Sequence, residues 1–155
     1  MTTPGQWRAE LARLGERLPP VVPPVAAYQP ARRSGSLVFT SGQLPMVDGA
    51  LPQTGKLGAE VSAADGKVLA RRAALNALAA VDALVGLDAV AGVVKVVGYV
   101  ASDPSFTGQP AVVDGASELL GAVFGPLGAH ARSAIGVAAL PLDAPVEIEL
   151  IVELR

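Results

Sequence analysis

The strictest constraint on this chain is the alternation in APVEIELIVEL near its C-terminus. Val146, Ile148, Leu150, Val152 and Leu154 fall on one side of an extended backbone. Glu147, Glu149, Ile151 and Glu153 fall on the other. Such a strand belongs to a sheet with one apolar face, and that face must be covered by something. The cover is legible upstream. From Ser62 to Gly86 the chain reads as a long helix, with Ala70, Ala74, Leu78, Val81 and Val85 as one apolar stripe and Gly86 at its end. AVVDGASELLGAVFG predicts a second helix, weakened by Gly115 and Gly121. AGVVKVVGYVAS reads as a central strand, because its polar interruptions are few. HARSAIGVAALP reads as another strand, apolar enough to be buried. SLVFTSGQLPMV predicts two strands, or one bent strand with a bulge at Gly42. The order is helix, strands, helix, strand, helix, strand, strand. That order describes an α+β sandwich with helices on one sheet face.

Ahead of this core lies TPGQWRAELARLGERL, an amphipathic helix with Trp7, Leu11, Leu14 and Leu18 at spacings of four, three and four. Thr3 can cap it, with Pro4 in its first turn. PPVVPPV then forms an extended connector. The chain therefore divides into residues 1–24, a helix with its connector, and a domain over residues 25–155. Hydrophobic residues make up 51% of the chain and charged residues 17%. That surplus of apolar side chains points to an oligomer. Aromatic residues are 4%, so Ala, Val and Leu must build the core.

The charge balance excludes several function classes. A net charge of −2 provides no basic field for nucleic acid. There is no cysteine and one histidine, which argues against a disulfide, a thiol nucleophile or a metal site. The N-terminus has no apolar signal core, and Asp82, Asp88 and Lys95 interrupt the longest Ala/Val/Leu-rich region. A membrane-spanning helix is excluded and a cytoplasmic location is expected.

Arg132 stands at the mouth of the HARSAIGVAALP strand. It reads either as half of a structural ion pair, with Glu147 or Glu149 as its partner, or as a planar fork for a ligand carboxylate. Glu147 reads either as part of a solvated outward face or as a proton shuttle lining a cleft. Tyr28, just before Pro30, either packs at an interface or covers a substrate. Ser41 has no identifiable histidine and acid partner, so it lines a cleft rather than acting as a nucleophile. His130 reads as a loop or helix-end cation and stands outside the catalytic set.

VAAYQPARRSGSLVFTSGQLP, the long helix and ARSAIGVAALPLDAPVEIE together resemble the RidA family of reactive imine deaminases, also known as YjgF. The resemblance runs from about Val25 to the end. It implies a chorismate-mutase-like fold: a mixed sheet with helices packed on one face, assembled as a trimeric barrel with ligand clefts between subunits. By this resemblance Arg132 falls on the arginine that binds the substrate carboxylate. Glu147 falls on a carboxylate near the attacking water, Tyr28 on the tyrosine at the cleft mouth, and Ser41 and Gly42 on the TSGQ turn. Ala134 and Gly136 stand where the best-known members often carry Cys and Glu. Asp114 falls near an asparagine, and the SDPSFTGQP loop is longer. These departures resemble a longer branch of the family.

The resemblance implies hydrolysis of 2-imino or enamine acids, such as 2-aminoacrylate or 2-iminopropionate, to 2-keto acids and ammonia. The activity is of the 2-iminobutanoate/2-iminopropanoate deaminase type, without metal or organic cofactor. The implied partners are a small carboxylate-bearing imine or keto acid and two further copies of the chain. Neither nucleic acid nor membrane is expected. A non-catalytic sensor that holds a small carboxylate is the alternative, and a purely structural protein the bland one. A nuclease or translation inhibitor conflicts with the acidic net charge.

Overall fold

The alternating C-terminal segment forms a strand over Val146–Leu154, with Val146, Ile148, Leu150, Val152 and Leu154 buried. The computed structural model describes residues 3–24 and 26–155. Its elements are α1 (Gln6–Arg13), β1 (Ala31–Ser34), β2 (Leu37–Thr40), α2 (Ala63–Val85), β3 (Val90–Ala101), α3 (Gln109–Phe124), β4 (Ala131–Val137) and β5 (Val146–Leu154). The five strands make one mixed sheet in the order β1-β2-β5-β3-β4. Only β3 and β4 run parallel, and α3 supplies the crossover that such a pair requires. This is the expected α+β architecture, with the helices on the face that carries Val38, Val96, Ile148 and Leu150.

The helices approach closely because small residues meet at their contacts. A Cβ on Gly115 of α3 would overlap the Lys67 carbonyl of α2 and lie 3.2 Å from Arg71 N. A Cβ on Gly98 of β3 would lie 2.8 Å from Val113 Cγ1 of α3. Gly115, read in the sequence as a weak point of its helix, is a point of helix–helix contact. Ser62 caps α2 by accepting from the Asp65 N–H at 3.1 Å, and Gly86 ends it with φ 79°. Ala70, Ala74, Leu78 and Val81 of the expected stripe are fully buried.

Several local expectations need correction. α1 is shorter than its apolar spacing suggested, because Leu14 caps it and Gly15 turns left-handed at φ 75°. Gly5 occupies the N-cap position in place of Thr3, and its N–H donates to Asp88 Oδ2 at 2.5 Å. Trp7 and Leu11 are buried in the same core as the sheet. The Trp7 ring meets Phe124 edge to face at 5.0 Å, and its indole N–H donates to the Val90 carbonyl at 3.3 Å. Val25, where the sequence reading began its second segment, lies outside the described residues. The Arg-rich ARRS segment pairs with β2 as β1. β4, expected to be buried, is an edge strand with Ile135 exposed, since among the described residues no strand pairs beyond it.

Candidate functional site

β2 ends at Thr40, and pairing resumes at a single bridge between Gln43 and Ile148. Ser41 and Gly42 bulge out between them, which fits the interruption expected at Gly42. The Ser41 N–H donates to the Pro30 carbonyl at 2.8 Å, and its hydroxyl to the Gln29 carbonyl at 2.5 Å. Ser41 thus ties down the segment that presents Tyr28. From α2, Asn76 Nδ2 donates to the Leu44 and Met46 carbonyls at 2.9 and 3.1 Å, and Arg72 Nε to Met46 at 2.9 Å. These bonds fix the following turn against the helix.

The result is a cleft of about 290 Å³. Tyr28, Gly42 and Glu147 line it, with Gln43, Leu44, Met46, Leu142 and the proline connector at Val22–Pro24. Glu147 points from the open face of β5. Burial in this apolar surrounding, and secondarily the charge of Glu149, push its carboxyl above the ordinary value of 4.5. Gly42 leaves room for this carboxylate, since a Cβ there would lie 2.7 Å from Glu147 Cδ and push the side chain out of its present position. Beside it, the Tyr99 hydroxyl donates to Glu149 Oε1 at 3.1 Å. Burial, then that hydrogen bond, raises the Tyr99 phenol above its usual range.

Arg132 does not line this cleft. In register it faces Val96, which faces Leu150, so it lies on the helix-covered side of the sheet. Glu147 faces Tyr99 on the opposite side. The expected structural partners, Glu147 and Glu149, are therefore out of reach, and Asp114 takes their place. Arg132 Nη1 donates to Asp114 Oδ1 at 2.7 Å and to Ser117 Oγ at 3.3 Å. Asp114 and Ser117 stand three apart on α3, one turn of the helix, and so reach the same guanidinium.

His130 extends the network. Its Nδ1 lies 2.6 Å from the Gly128 carbonyl and its Nε2 lies 2.9 Å from Ser117 Oγ. A carbonyl can only accept, so Nδ1 carries the hydrogen. Nε2 meets the Ser117 hydroxyl, which accepts in turn from Arg132. Nε and Nη2 of Arg132 make no hydrogen bond within the described chain. The planar edge that could take a carboxylate with two parallel bonds is thereby left open.

The sequence reading did not foresee Asp114, Ser117 or Leu142 in these roles. The Asp114–Ser117 spacing on a predicted helix was its available sign. Among the described residues no group of three His, Asp or Glu side chains could hold a metal ion. No helix there is long and apolar enough to cross a membrane.

The model of a protein family described as "YjgF/chorismate mutase-like, putative endoribonuclease" matches residues 8–154. The chain belongs to the YjgF family. It is 44% identical over 153 residues to Protein TCP17 of Trypanosoma cruzi, a match covering 97% of this chain and 96% of that protein. The crystal structure of Atu1372 from Agrobacterium tumefaciens is similar at 41% identity and a TM-score of 0.88, over 96% of this chain and 92% of that one. E. coli TdcF with bound serine is similar at 26% identity and a TM-score of 0.59, over 89% and 94%. The YjgF match begins at Arg8, inside α1, and the Atu1372 match covers 96% of this chain.

Proposed function

We propose that this YjgF-family chain hydrolyses 2-imino acids to 2-keto acids and ammonia, in a cleft completed between copies of a homotrimer. The observation that carries this reading is the half-buried Glu147 carboxyl, set beside Gly42 and Tyr28 in an apolar cleft and pushed above its ordinary value by burial. A carboxyl so placed can change protonation state during a reaction. The serine bound to the relative TdcF is a small molecule that bears a carboxylate with nitrogen on the adjacent carbon, as the proposed substrate does.

In this reading the free edge of Arg132 binds the substrate carboxylate and orients the imine carbon. Glu147 takes a proton from water as the water oxygen bonds to that carbon. That proton passes to the imine nitrogen to give the carbinolamine; Glu147 then carries the hydroxyl proton to the same nitrogen as the C=O bond forms and the C–N bond breaks, and a 2-keto acid and ammonia leave. Within one chain Arg132 and Glu147 occupy opposite faces of the sheet. The complete site therefore draws its arginine from the edge strand of a second copy. A cytoplasmic location fits such a metabolic role.

The alternative is a carboxylate-binding sensor without turnover, and Asp114 favours it by already neutralising part of Arg132. The family description names an endoribonuclease. A net charge of −2 gives that activity no electrostatic support here. The test is a coupled assay on imines made freshly by an amino-acid oxidase, with keto-acid binding measured in parallel. Imine loss accelerated over the uncatalysed rate supports the deaminase. Binding without acceleration establishes the sensor, and neither result removes both.

A further inference from the structure

Leu142 occupies an unusual place. It follows Pro141 on the turn entering β5, with φ 59° and ψ 20°, and Asp143 after it has φ 58°. A leucine in this left-handed region crowds its Cβ against the backbone, where glycine or asparagine would sit without strain. The conformation is imposed from both sides. Gly55 N–H donates to the Asp143 carbonyl at 3.0 Å, and Asp143 and Ala144 donate back to Leu140 and Pro141 at 3.2 and 3.1 Å. The core does not compensate, because Leu142 is 66% exposed. Its side chain lies instead on the rim of the Glu147 cleft, together with Pro23, Leu44 and Met46. Strain held at the edge of a site, with an apolar side chain displayed there, calls for a contact outside the chain.

We infer that Leu142 reads the substrate's side chain, and that the cleft takes 2-imino acids with bulky apolar side chains; this rests on the imino-acid reading above. Two features of the cleft agree. Its volume of about 290 Å³ far exceeds what an imine carbon, a carboxylate and one methyl group occupy. Besides Glu147 its lining includes Pro23, Leu44, Met46 and Leu142, which offer no charge to a polar side chain. The proline connector forms part of that lining, which gives it a part in selecting substrate.

The experiment compares wild type, Leu142→Gly, Leu142→Ala and the control Val68→Ala, a valine equally exposed on α2. The readouts are kcat/KM for imines of leucine and of alanine, the melting temperature, and the mass in solution. Wild type should favour the leucine-derived imine by about tenfold or more, the scale of an added apolar contact. Leu142→Gly and Leu142→Ala should both lose about tenfold of that ratio, and Val68→Ala should retain it. Leu142→Gly should also melt higher than Leu142→Ala, because it alone relieves the left-handed strain. An unchanged ratio in the Leu142 variants overturns the inference. So does loss of the assembly, which would make Leu142 a contact between copies. If wild type turns over both imines equally, this inference alone falls. If it turns over neither imine, the imino-acid reading falls and takes this one with it, whether or not pyruvate or 4-methyl-2-oxopentanoate binds.

Discussion

Arg132 is held by one nitrogen and open on the other edge, and this division shapes what its substitution should do. Its ion pair with Asp114 is partly exposed, with side chains 25% and 45% accessible. Such pairs contribute about 0–1 kcal/mol to stability. Arg132→Ala should therefore fold and melt close to wild type. Its binding of pyruvate should weaken by about 2–5 kcal/mol, the cost of removing one half of a charge-paired contact. Arg132→Lys keeps the charge without the planar fork and should not restore binding. Calorimetric titration beside thermal unfolding decides the matter, and pyruvate affinity retained in the alanine variant would exclude Arg132 from the site. Glu147 makes a prediction with a definite sign. Its carboxyl holds a proton more tightly in the fold than in the unfolded chain, where the value is near 4.5. Stability therefore falls as pH rises from 4.5 through the folded value, and the loss is complete above it. Glu147→Gln cannot ionise, so it should melt above wild type at neutral pH and converge with it below about 4.5. A melting difference independent of pH would show that Glu147 sits in no desolvated cleft.

At the scale of elements, two glycines in α3 that look alike in sequence should respond in opposite ways. An Ala at either position improves helix propensity by about 1 kcal/mol. At Gly121 nothing lies within 4 Å of the added Cβ, so Gly121→Ala should stabilise by up to that amount. At Gly115 the Cβ meets the backbone of α2 at Lys67, which cannot swing aside. Gly115→Ala should destabilise by about 1–3 kcal/mol, the usual cost of overpacking. Urea unfolding of both variants checks the pair, and equal shifts would mean that the helices are not in close contact at Gly115. The sequence shows that both residues favour chain flexibility. Only the crossing of α2 and α3 distinguishes them.

For the whole molecule, the sheet has one face covered by helices and one left open. The open face carries Phe39, Val97, Ile135 and Ile151 among Glu147, Glu149 and Lys95. A single chain leaves Phe39 and Ile135 exposed there, beside an unpaired edge at β4. Light scattering should find three times the chain mass at micromolar concentration. A stable monomer would remove the shared site, because Arg132 and Glu147 cannot meet within one copy.

The sheet, its buried face and the long helix were legible because each rests on a local period: two residues along β5 and the helical repeat along α2. Charge and cysteine content likewise limited the chemistry without any knowledge of the fold. Arg132 and Glu147 stood out by residue type and by resemblance, but not their separation. Which side of the sheet each occupies depends on strand register, set by pairing between residues far apart in sequence. The partner of Arg132 followed from the same cause. Register turned it toward α3, where Asp114 waits, and away from the glutamates of β5. The strain at Leu142 is held in part by a hydrogen bond that crosses from Gly55 to Asp143, and no reading of the residues around Pro141 contains that contact. What the sequence determined by itself is periodic and local. What the tertiary structure decided are the places where distant segments meet, and the candidate cleft is made from four of them: the proline connector, the Ser41–Gly42 bulge, the turn at Leu142 and the open face of β5.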